Sequence, residues 1–131
     1  MFRKYFTPKE ANRRLPLVKR IVGEILGKGQ RLRTLLKQHE SQDIPAECQT
    51  LQEEIESLMD ELEGLGCFYK DWNFEVGLVD FPALIDGQEV FLCWKSDEPE
   101  ILWYHTIEGG FAGRRPIPAY WLINDNDVFQ K

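Results

Sequence analysis

Apolar residues recur at alternating steps of three and four along two stretches in the first half of the chain. The first set consists of Leu15, Val18, Val22, Ile25, Gly29, Leu32 and Leu36. The second set consists of Cys48, Leu51, Ile55, Leu58, Leu62 and Leu65. This spacing is typical of helices that pack along a coiled-coil seam. Because the link at residues 40–45 is short, polar and contains proline, the pattern predicts an antiparallel helical hairpin over residues 7–66.

The ends of the two predicted helices carry recognisable signals. Thr7 followed by Glu10 is a capping-box motif, in which each side chain satisfies a free backbone N–H of the other residue. Gly66 can take the left-handed conformation that often ends a helix. Pro16 falls inside the first pattern and removes one backbone hydrogen bond, so we expect a kink or short break near residues 12–15.

Three glycines lie inside the first predicted helix, where each costs about 1 kcal/mol relative to alanine. In the antiparallel register Gly29 would face Ile55 and make room for it. Gly23 and Gly27 could permit close approach of a second copy of the hairpin, or they could mark a flexible segment. The first alternative, together with more apolar surface than one hairpin can bury, leads us to expect a homodimer.

Opposite charges separate the two helices of the predicted hairpin. Residues 1–40 hold eleven Lys or Arg and three acids, whereas residues 41–66 hold eight acids and no Lys or Arg. Mutual neutralisation along the flanks of the seam explains this distribution. The basic first helix therefore does not indicate a nucleic-acid partner, and the net charge of -6 also argues against one.

The second half of the chain has a different composition. Thirteen of the sixteen aromatic residues lie in residues 67–131, and none lies between Thr7 and Gly66. Short runs bounded by turn signals predict strands at residues 67–70, 75–79, 89–95 and 100–107. Asp86-Gly87 predicts a tight hairpin turn, and strands do not alternate with helices. We expect an α+β fold in one domain, residues 1–131, with a helical hairpin packed on an aromatic-rich antiparallel β meander.

Several other features restrict where and how the protein works. No apolar run reaches the eighteen or so residues of a membrane span, and the first residues lack an apolar signal core, so we expect a cytoplasmic protein without a membrane partner. Cys48, Cys67 and Cys93 are odd in number and lack Cys-x-x-Cys spacing. This pattern argues against a disulfide framework and against a thiolate zinc site, and favours reduced, buried cysteines.

His105 is the first candidate for chemistry. It lies in a predicted strand, and Glu108 follows at the strand exit, where one histidine and nearby carboxylates could hold a divalent metal. Sheet pairing could bring further ligands near, namely Asp80, Cys93, Glu98 and Glu100. The alternative is a structural histidine that hydrogen-bonds a backbone or carboxylate partner.

The glycine-rich turn at residues 109–113, followed by Arg114 and Arg115, is the second candidate. Glycines allow successive backbone N–H groups to point at one anion, and a guanidinium can add a bidentate contact. In the alternative interpretation Arg114 pairs with an internal acid such as Asp80 or Glu98, and the glycines only turn the chain. No Gly-Lys-Ser/Thr follows, so the turn is not a P-loop.

Two further residues have competing interpretations. Asp80 could bind a ligand, or it could cap a short segment at residues 82–84 by accepting backbone N–H bonds. Trp94 could form a ligand platform, although an aromatic residue in a strand more often belongs to the core. No serine, cysteine or lysine has a base partner in the sequence, so nucleophilic catalysis is not indicated.

Three segments carry a resemblance to a known family: YFTPKEANRRLP, GLVDFPALIDGQEVFLCWKSDEPEILWYH and GGFAGRRPI. Together they span residues 5–117 and resemble the prokaryotic family called domain of unknown function 2203. The resemblance implies no reaction, cofactor or catalytic residue that could be assigned to this chain.

Two classes of function are consistent with the sequence. The first is a binding or assembly module, in which the hairpin self-associates or binds a partner protein and the β module recognises a partner or small anion. The second is a small metal-dependent enzyme that uses His105, Glu108 and Asp80, with Arg114 holding an acidic substrate. The paired seams, the helix glycines and the lack of a catalytic signature favour the module.

Overall fold

The computed structural model describes residues 2–40 and 43–123, which form helices α1 to α3 and strands β1 to β5. The helices are α1 (Pro8–Gln38), α2 (Ala46–Leu65) and α3 (Ala119–Ile123). The strands are β1 (Phe68–Tyr69), β2 (Leu78–Ile85), β3 (Gln88–Lys95), β4 (Trp103–Thr106) and β5 (Arg115–Pro116). The sheet has the order β1-β2-β3-β4-β5 with antiparallel neighbours, so the expected α+β layout of helices on an antiparallel meander is confirmed.

Helix α1 begins as the sequence predicts but continues through Pro16. The Thr7 hydroxyl accepts from the Glu10 N–H at 3.2 Å, and the Glu10 carboxylate accepts from the Thr7 N–H at 3.1 Å. The break expected near residues 12–15 does not occur. Pro16 is exposed while Leu15 and Val18 are buried, so packing of the apolar stripe outweighs the one backbone hydrogen bond that proline removes.

The contact between α1 and α2 differs in detail from the predicted seam. On α2 the buried residues are Cys48, Leu51, Ile55, Met59 and Leu62, so Met59 replaces the predicted Leu58. Near the tip, Leu35 is buried and Leu36 is 41% exposed. The ring of Phe74 lies beside Gly29, because a Cβ on Gly29 would overlap it, and the pairing of Gly29 with Ile55 stays a prediction. Ser41 and Gln42, part of the predicted link, lie outside the described residues.

The sheet has two different faces. Alternate residues of β2 and β3 point toward the helices and join one hydrophobic core with α1 and α2; this helical face includes Val79, Phe81, Val90, Leu92 and Trp94. The opposite face, here called the distal face, carries Asp80, Phe91, Cys93, Trp103 and His105. The polar residues that could do chemistry therefore lie on the side of the sheet away from the helices.

The chain after β5 folds back onto its own core. Ile117 and Trp121 are buried, and the Trp121 ring lies 5.2 Å from the ring of Tyr104 on the helical face. Residues 124–131 lie outside the described part of the chain. Within the described residues, neither of the two long helices is apolar enough over its length to cross a bilayer.

Candidate metal centre

Three ligand-type side chains meet on the distal face. Asp80 in β2 pairs directly with Cys93 in β3, and His105 in β4 pairs with Phe91, two residues before Cys93. Each of Asp80, Cys93 and His105 offers one ligand atom, and these three atoms lie within 4.8 Å of one another. All three residues are buried, with exposed fractions of 4%, 1% and 4%. Three consecutive strands thus build one site that we call the Asp-Cys-His cluster.

The hydrogen bonds of His105 define its tautomer. Nδ1 lies 2.7 Å from the Thr106 carbonyl oxygen, which can only accept, so Nδ1 must carry a hydrogen. Nε2 lies 3.1 Å from Asp80 Oδ1. In a neutral imidazole Nε2 would then be a second acceptor facing a carboxylate oxygen. The arrangement therefore requires either a proton shared by these two atoms or a metal ion between them.

The surroundings also set the protonation of His105 and Cys93 when no metal is bound. Burial opposes the charged imidazolium, but the hydrogen bonds to Asp80 and to the Thr106 carbonyl favour it, and the pKa of His105 is raised overall. Burial, and after it the Asp80 carboxylate, raise the pKa of the Cys93 thiol to about 12. A bound cation would favour the thiolate, because the charge of the metal reverses the effect of burial.

A small pocket opens beside the cluster. Its volume is about 200 Å³, and its lining includes all three cluster residues together with Gly110. The rest of its wall is apolar except for one lysine, and consists of Lys70, Leu78, Phe91, Ile107 and Phe111. The Lys70 ammonium lies 5.3 Å from the Phe91 ring centroid. The three residues of the cluster therefore border a space large enough for a small molecule.

Arg114 forms an ion pair with Glu98 of the same chain. Its Nη1 and Nη2 donate to the two Glu98 carboxylate oxygens at 2.8 and 2.9 Å, and Nη2 also donates to the Cys93 carbonyl at 3.2 Å. The guanidinium lies 4.9 Å from the Trp103 ring centroid and 4.7 Å from that of Phe111. Of the two interpretations of Arg114, the structure shows the internal ion pair.

The glycine-rich turn also uses its backbone internally. The Gly109 and Gly110 N–H groups donate to the hydroxyl and the carbonyl of Thr106 at 3.0 and 3.4 Å. The Gly113 and Arg114 N–H groups donate to carbonyls within the turn. These four donors are not aimed at an external anion. Gly110 has φ +58°, so one glycine of the turn takes a backbone conformation that other residues rarely adopt.

The remaining candidates lie apart from the cluster. Glu108, Glu100 and Arg115 are exposed, and none of them belongs to the group of converging ligand atoms. Trp94 is 1% exposed on the helical face, and its indole N–H donates to the Glu98 carbonyl at 2.8 Å. Trp94 is therefore a core residue.

Asp80 does not cap a turn, because it lies inside β2. The strand continues through Pro82, past Asp80, which is the last residue of β2 that pairs with β1. There the Pro82 carbonyl accepts from the Phe6 N–H at 2.7 Å, and the missing N–H of proline faces the same edge, where no strand requires it.

From the sequence, Cys93 is only one of several residues that sheet pairing could bring near His105, and it is not singled out as a ligand. The sequence does contain a signal that pairs Cys93 with Asp80, because a two-residue turn at Asp86-Gly87 fixes the register of its hairpin. The sixth pair counted outward from this turn is Asp80 with Cys93. The segment between β3 and β4 is irregular, so no comparable count places His105.

Comparison with known proteins adds a family. The family model described as "Uncharacterized conserved protein (DUF2203)" matches residues 4–117, a range that includes the whole Asp-Cys-His cluster. No curated protein and no solved structure matches the chain. The family description names no activity, so a function has to be inferred from the site.

Proposed function

The chain belongs to the DUF2203 family of uncharacterized conserved proteins, and we propose that it binds a divalent transition-metal ion through Asp80, Cys93 and His105. The observation that carries this proposal is the convergence of three buried ligand-type side chains: His105 Nε2 and Asp80 Oδ1 lie 3.1 Å apart, and the Cys93 thiol lies within 4.8 Å of both. A metal ion between these atoms satisfies all three side chains at once.

The distances fit such an ion after a small adjustment. Zinc lies about 2.0–2.3 Å from its nitrogen, oxygen and sulfur ligands, so neighbouring ligand atoms of a tetrahedral site lie roughly 3.2–3.8 Å apart. The three atoms of the cluster already lie within 4.8 Å of one another. The bond from His105 Nδ1 to the Thr106 carbonyl supports Nε2 as the ligand, because metal-binding histidines usually donate their other N–H in this way.

The ligand types favour zinc over a hard cation. Magnesium and calcium prefer sets of oxygen ligands, whereas thiolate and imidazole suit zinc. Three protein ligands leave a fourth position open, which is the pattern of reactive rather than purely structural zinc. In this site that position faces the pocket. The proposed function is therefore binding, with Lewis-acid polarisation, of a small ligand at a metal centre.

This proposal modifies the metal-enzyme hypothesis drawn from the sequence. His105 and Asp80 remain in the site, and Cys93 joins them as the third ligand. Glu108 and Arg114 are not part of it, because Glu108 is exposed and Arg114 pairs with Glu98.

Elemental analysis of tag-free, full-length protein purified without chelator tests the proposal. We expect close to one zinc ion per chain, either as purified or after incubation with Zn²⁺. Asp80→Asn, Cys93→Ser and His105→Gln should each reduce zinc retention against a chromophoric chelator by tenfold or more, because each removes one of three ligands.

Matched controls separate ligand loss from general damage. Glu108→Gln removes a carboxylate near His105 in the sequence, and Cys48→Ser removes a buried thiol outside the cluster. Both variants should retain the metal, and circular dichroism should confirm that every variant is folded. In cobalt-substituted wild-type protein, a thiolate-to-cobalt charge-transfer band would report ligation by Cys93 directly. A wild-type protein that takes up neither Zn²⁺ nor Co²⁺, or a folded His105→Gln variant that keeps the metal, would contradict the proposal.

Self-association through the hairpin is a second candidate function, independent of the metal. The observation that favours it is the open surface at Gly23 and Gly27, where an added Cβ would meet no atom within 4 Å. These glycines lie one helical turn apart and are exposed, so a second chain could approach the α1 backbone closely there.

A further inference from the structure

We infer that the pocket beside the Asp-Cys-His cluster binds a small monocarboxylate with a short apolar tail. Its carboxylate would occupy the open metal position near Lys70, and its tail would lie against Ile107 and Phe111. This inference rests on the metal site proposed above and assigns the class of ligand to it.

The size of the pocket limits the ligand. The volume of about 200 Å³ is below the range of roughly 300–1,000 Å³ that is usual for drug-sized ligands. A carboxylic acid of a few carbon atoms fits this space, whereas a nucleotide or a sugar phosphate would extend well beyond it.

The charges at the site favour a single negative charge. A divalent ion bound by the Asp80 carboxylate and the Cys93 thiolate with neutral His105 has no net charge. Lys70 then supplies one positive charge among the residues that line the pocket. A monoanion completes this balance, whereas a phosphate dianion would leave excess negative charge in a largely buried site.

Most of the nearby donors that a phosphate could use are engaged elsewhere; Arg114 Nε has no hydrogen-bond partner in the described part of the chain, but Arg114 does not line the pocket. Both terminal nitrogens of Arg114 bond Glu98, and the N–H groups of Gly109, Gly110 and Gly113 are used inside the turn. A carboxylate bound to a metal and one ammonium group needs none of these donors. The structure therefore favours carboxylate over phosphate as the bound anion.

The apolar wall of the pocket favours a ligand with an aliphatic tail. Leu78, Phe91, Ile107 and Phe111 line the pocket, and Ile107 and Phe111 remain 43% and 41% exposed. An aliphatic tail would cover these two side chains and gain from the burial. Lys70 is exposed, and its ammonium lies over the Phe91 and Phe68 rings, 5.3 and 5.9 Å from their centroids, which places this charge beside the pocket.

Titration of cobalt-substituted, full-length protein tests the inference. Acetate, butyrate and inorganic phosphate are added separately at constant pH and ionic strength, and the visible cobalt bands report changes at the metal. We expect saturable changes with both carboxylates. Butyrate should bind up to about fifteenfold more tightly than acetate, because each buried methylene contributes about a fourfold gain.

Two variants test which residue contacts the carboxylate of the ligand and which contacts its tail. Lys70→Gln should weaken both carboxylates roughly three- to tenfold at equal cobalt occupancy, because it removes the charge beside the carboxylate. Lys37→Gln, which changes an exposed lysine near the end of α1, is the matched control and should have no effect. Phe111→Ala should reduce the preference for butyrate over acetate with little change for acetate itself.

The outcomes distinguish this inference from the metal proposal. Cobalt-loaded protein whose bands respond to neither carboxylate would overturn the inference and leave the metal site intact. Tighter binding of phosphate than of butyrate would overturn the assignment of a monocarboxylate. A protein that binds no cobalt would overturn both the inference and the proposed function.

Discussion

Two adjacent arginines show how strongly the surroundings of a residue decide its role. Arg114 is partly buried, bonds both oxygens of Glu98 and lies against the rings of Trp103 and Phe111. Arg115 is exposed in β5. The sequence offers the same side chain at both positions. The structure makes Arg114 a cross-link between the turn before β5 and the turn after β3.

We predict that Arg114→Ala lowers the free energy of unfolding by roughly 2–4 kcal/mol, because it leaves the Glu98 carboxylate without its partner in a partly buried site. Arg115→Ala should change it by less than about 0.5 kcal/mol. Urea denaturation of both variants measures the difference. Equal effects of the two substitutions would show that the Glu98 ion pair does not stabilise the fold.

The site residues illustrate the limit of prediction from sequence proximity. Glu108 lies three positions after His105 in the sequence, yet it follows the end of β4 and is exposed. Asp80 and Cys93 are 25 and 12 positions away from His105 in the sequence but meet it across paired strands. Strand register, rather than sequence distance, decides which ligands converge.

At the scale of elements, local sequence signals predict the ends of helices and strands well where long-range packing does not oppose them. The Thr7–Glu10 capping box and the left-handed Gly66 mark the start of α1 and the end of α2. Asp86 and Gly87 both have positive φ, as a type I′ hairpin turn requires. The Pro16 signal is overridden by packing. The strand predicted at residues 75–79 begins and ends too early, since β2 runs from Leu78 to Ile85 and continues through Pro82, which lies on a strand edge that the sequence does not reveal.

Gly29 provides a test at this scale, because its role depends on the loop before β2. We predict that Gly29→Ala destabilises the protein by roughly 1–3 kcal/mol, since the new Cβ would overlap the Phe74 ring. Gly27→Ala, in open space on the same helix, should instead stabilise a monomeric chain by up to about 1 kcal/mol. Thermal unfolding at low protein concentration measures both effects.

A double mutant identifies the cause of the Gly29 effect. In a Phe74→Ala background the ring is absent, so Gly29→Ala should no longer carry a penalty. If the penalty persists in that background, Phe74 is not the residue that requires glycine, and the predicted contact with Ile55 would have to be reconsidered.

At the scale of the whole molecule, one core joins the helical hairpin to the sheet. Residues of α1, α2 and the helical face of the sheet pack in a single cluster that also includes Ile117 and Trp121. The distal face is left to the Asp-Cys-His cluster and the turn before β5. This division explains why the site has a pocket, since none of the α-helices α1 to α3 of the described residues packs on that side of the sheet.

The homodimer expected from the sequence stays a prediction at this scale. Static light scattering at micromolar concentration should give twice the mass of one chain. Gly23→Glu and Gly27→Glu should shift the protein toward monomer, because each places a charged side chain on the proposed contact surface. A monomeric wild-type protein would contradict the prediction without affecting the metal site.

The sequence by itself determined the helical hairpin, its capping box, the Asp86-Gly87 turn and the antiparallel meander. These features depend on residues a few positions apart, and short-range periodicity and backbone preferences are sufficient to specify them. Only the tertiary structure decided that Phe74 occupies the space beside Gly29, that Arg114 bonds Glu98, and that Cys93 joins Asp80 and His105. Those contacts depend on how distant segments pack and on the register between β3 and β4, which the irregular residues between the strands leave undetermined in the sequence.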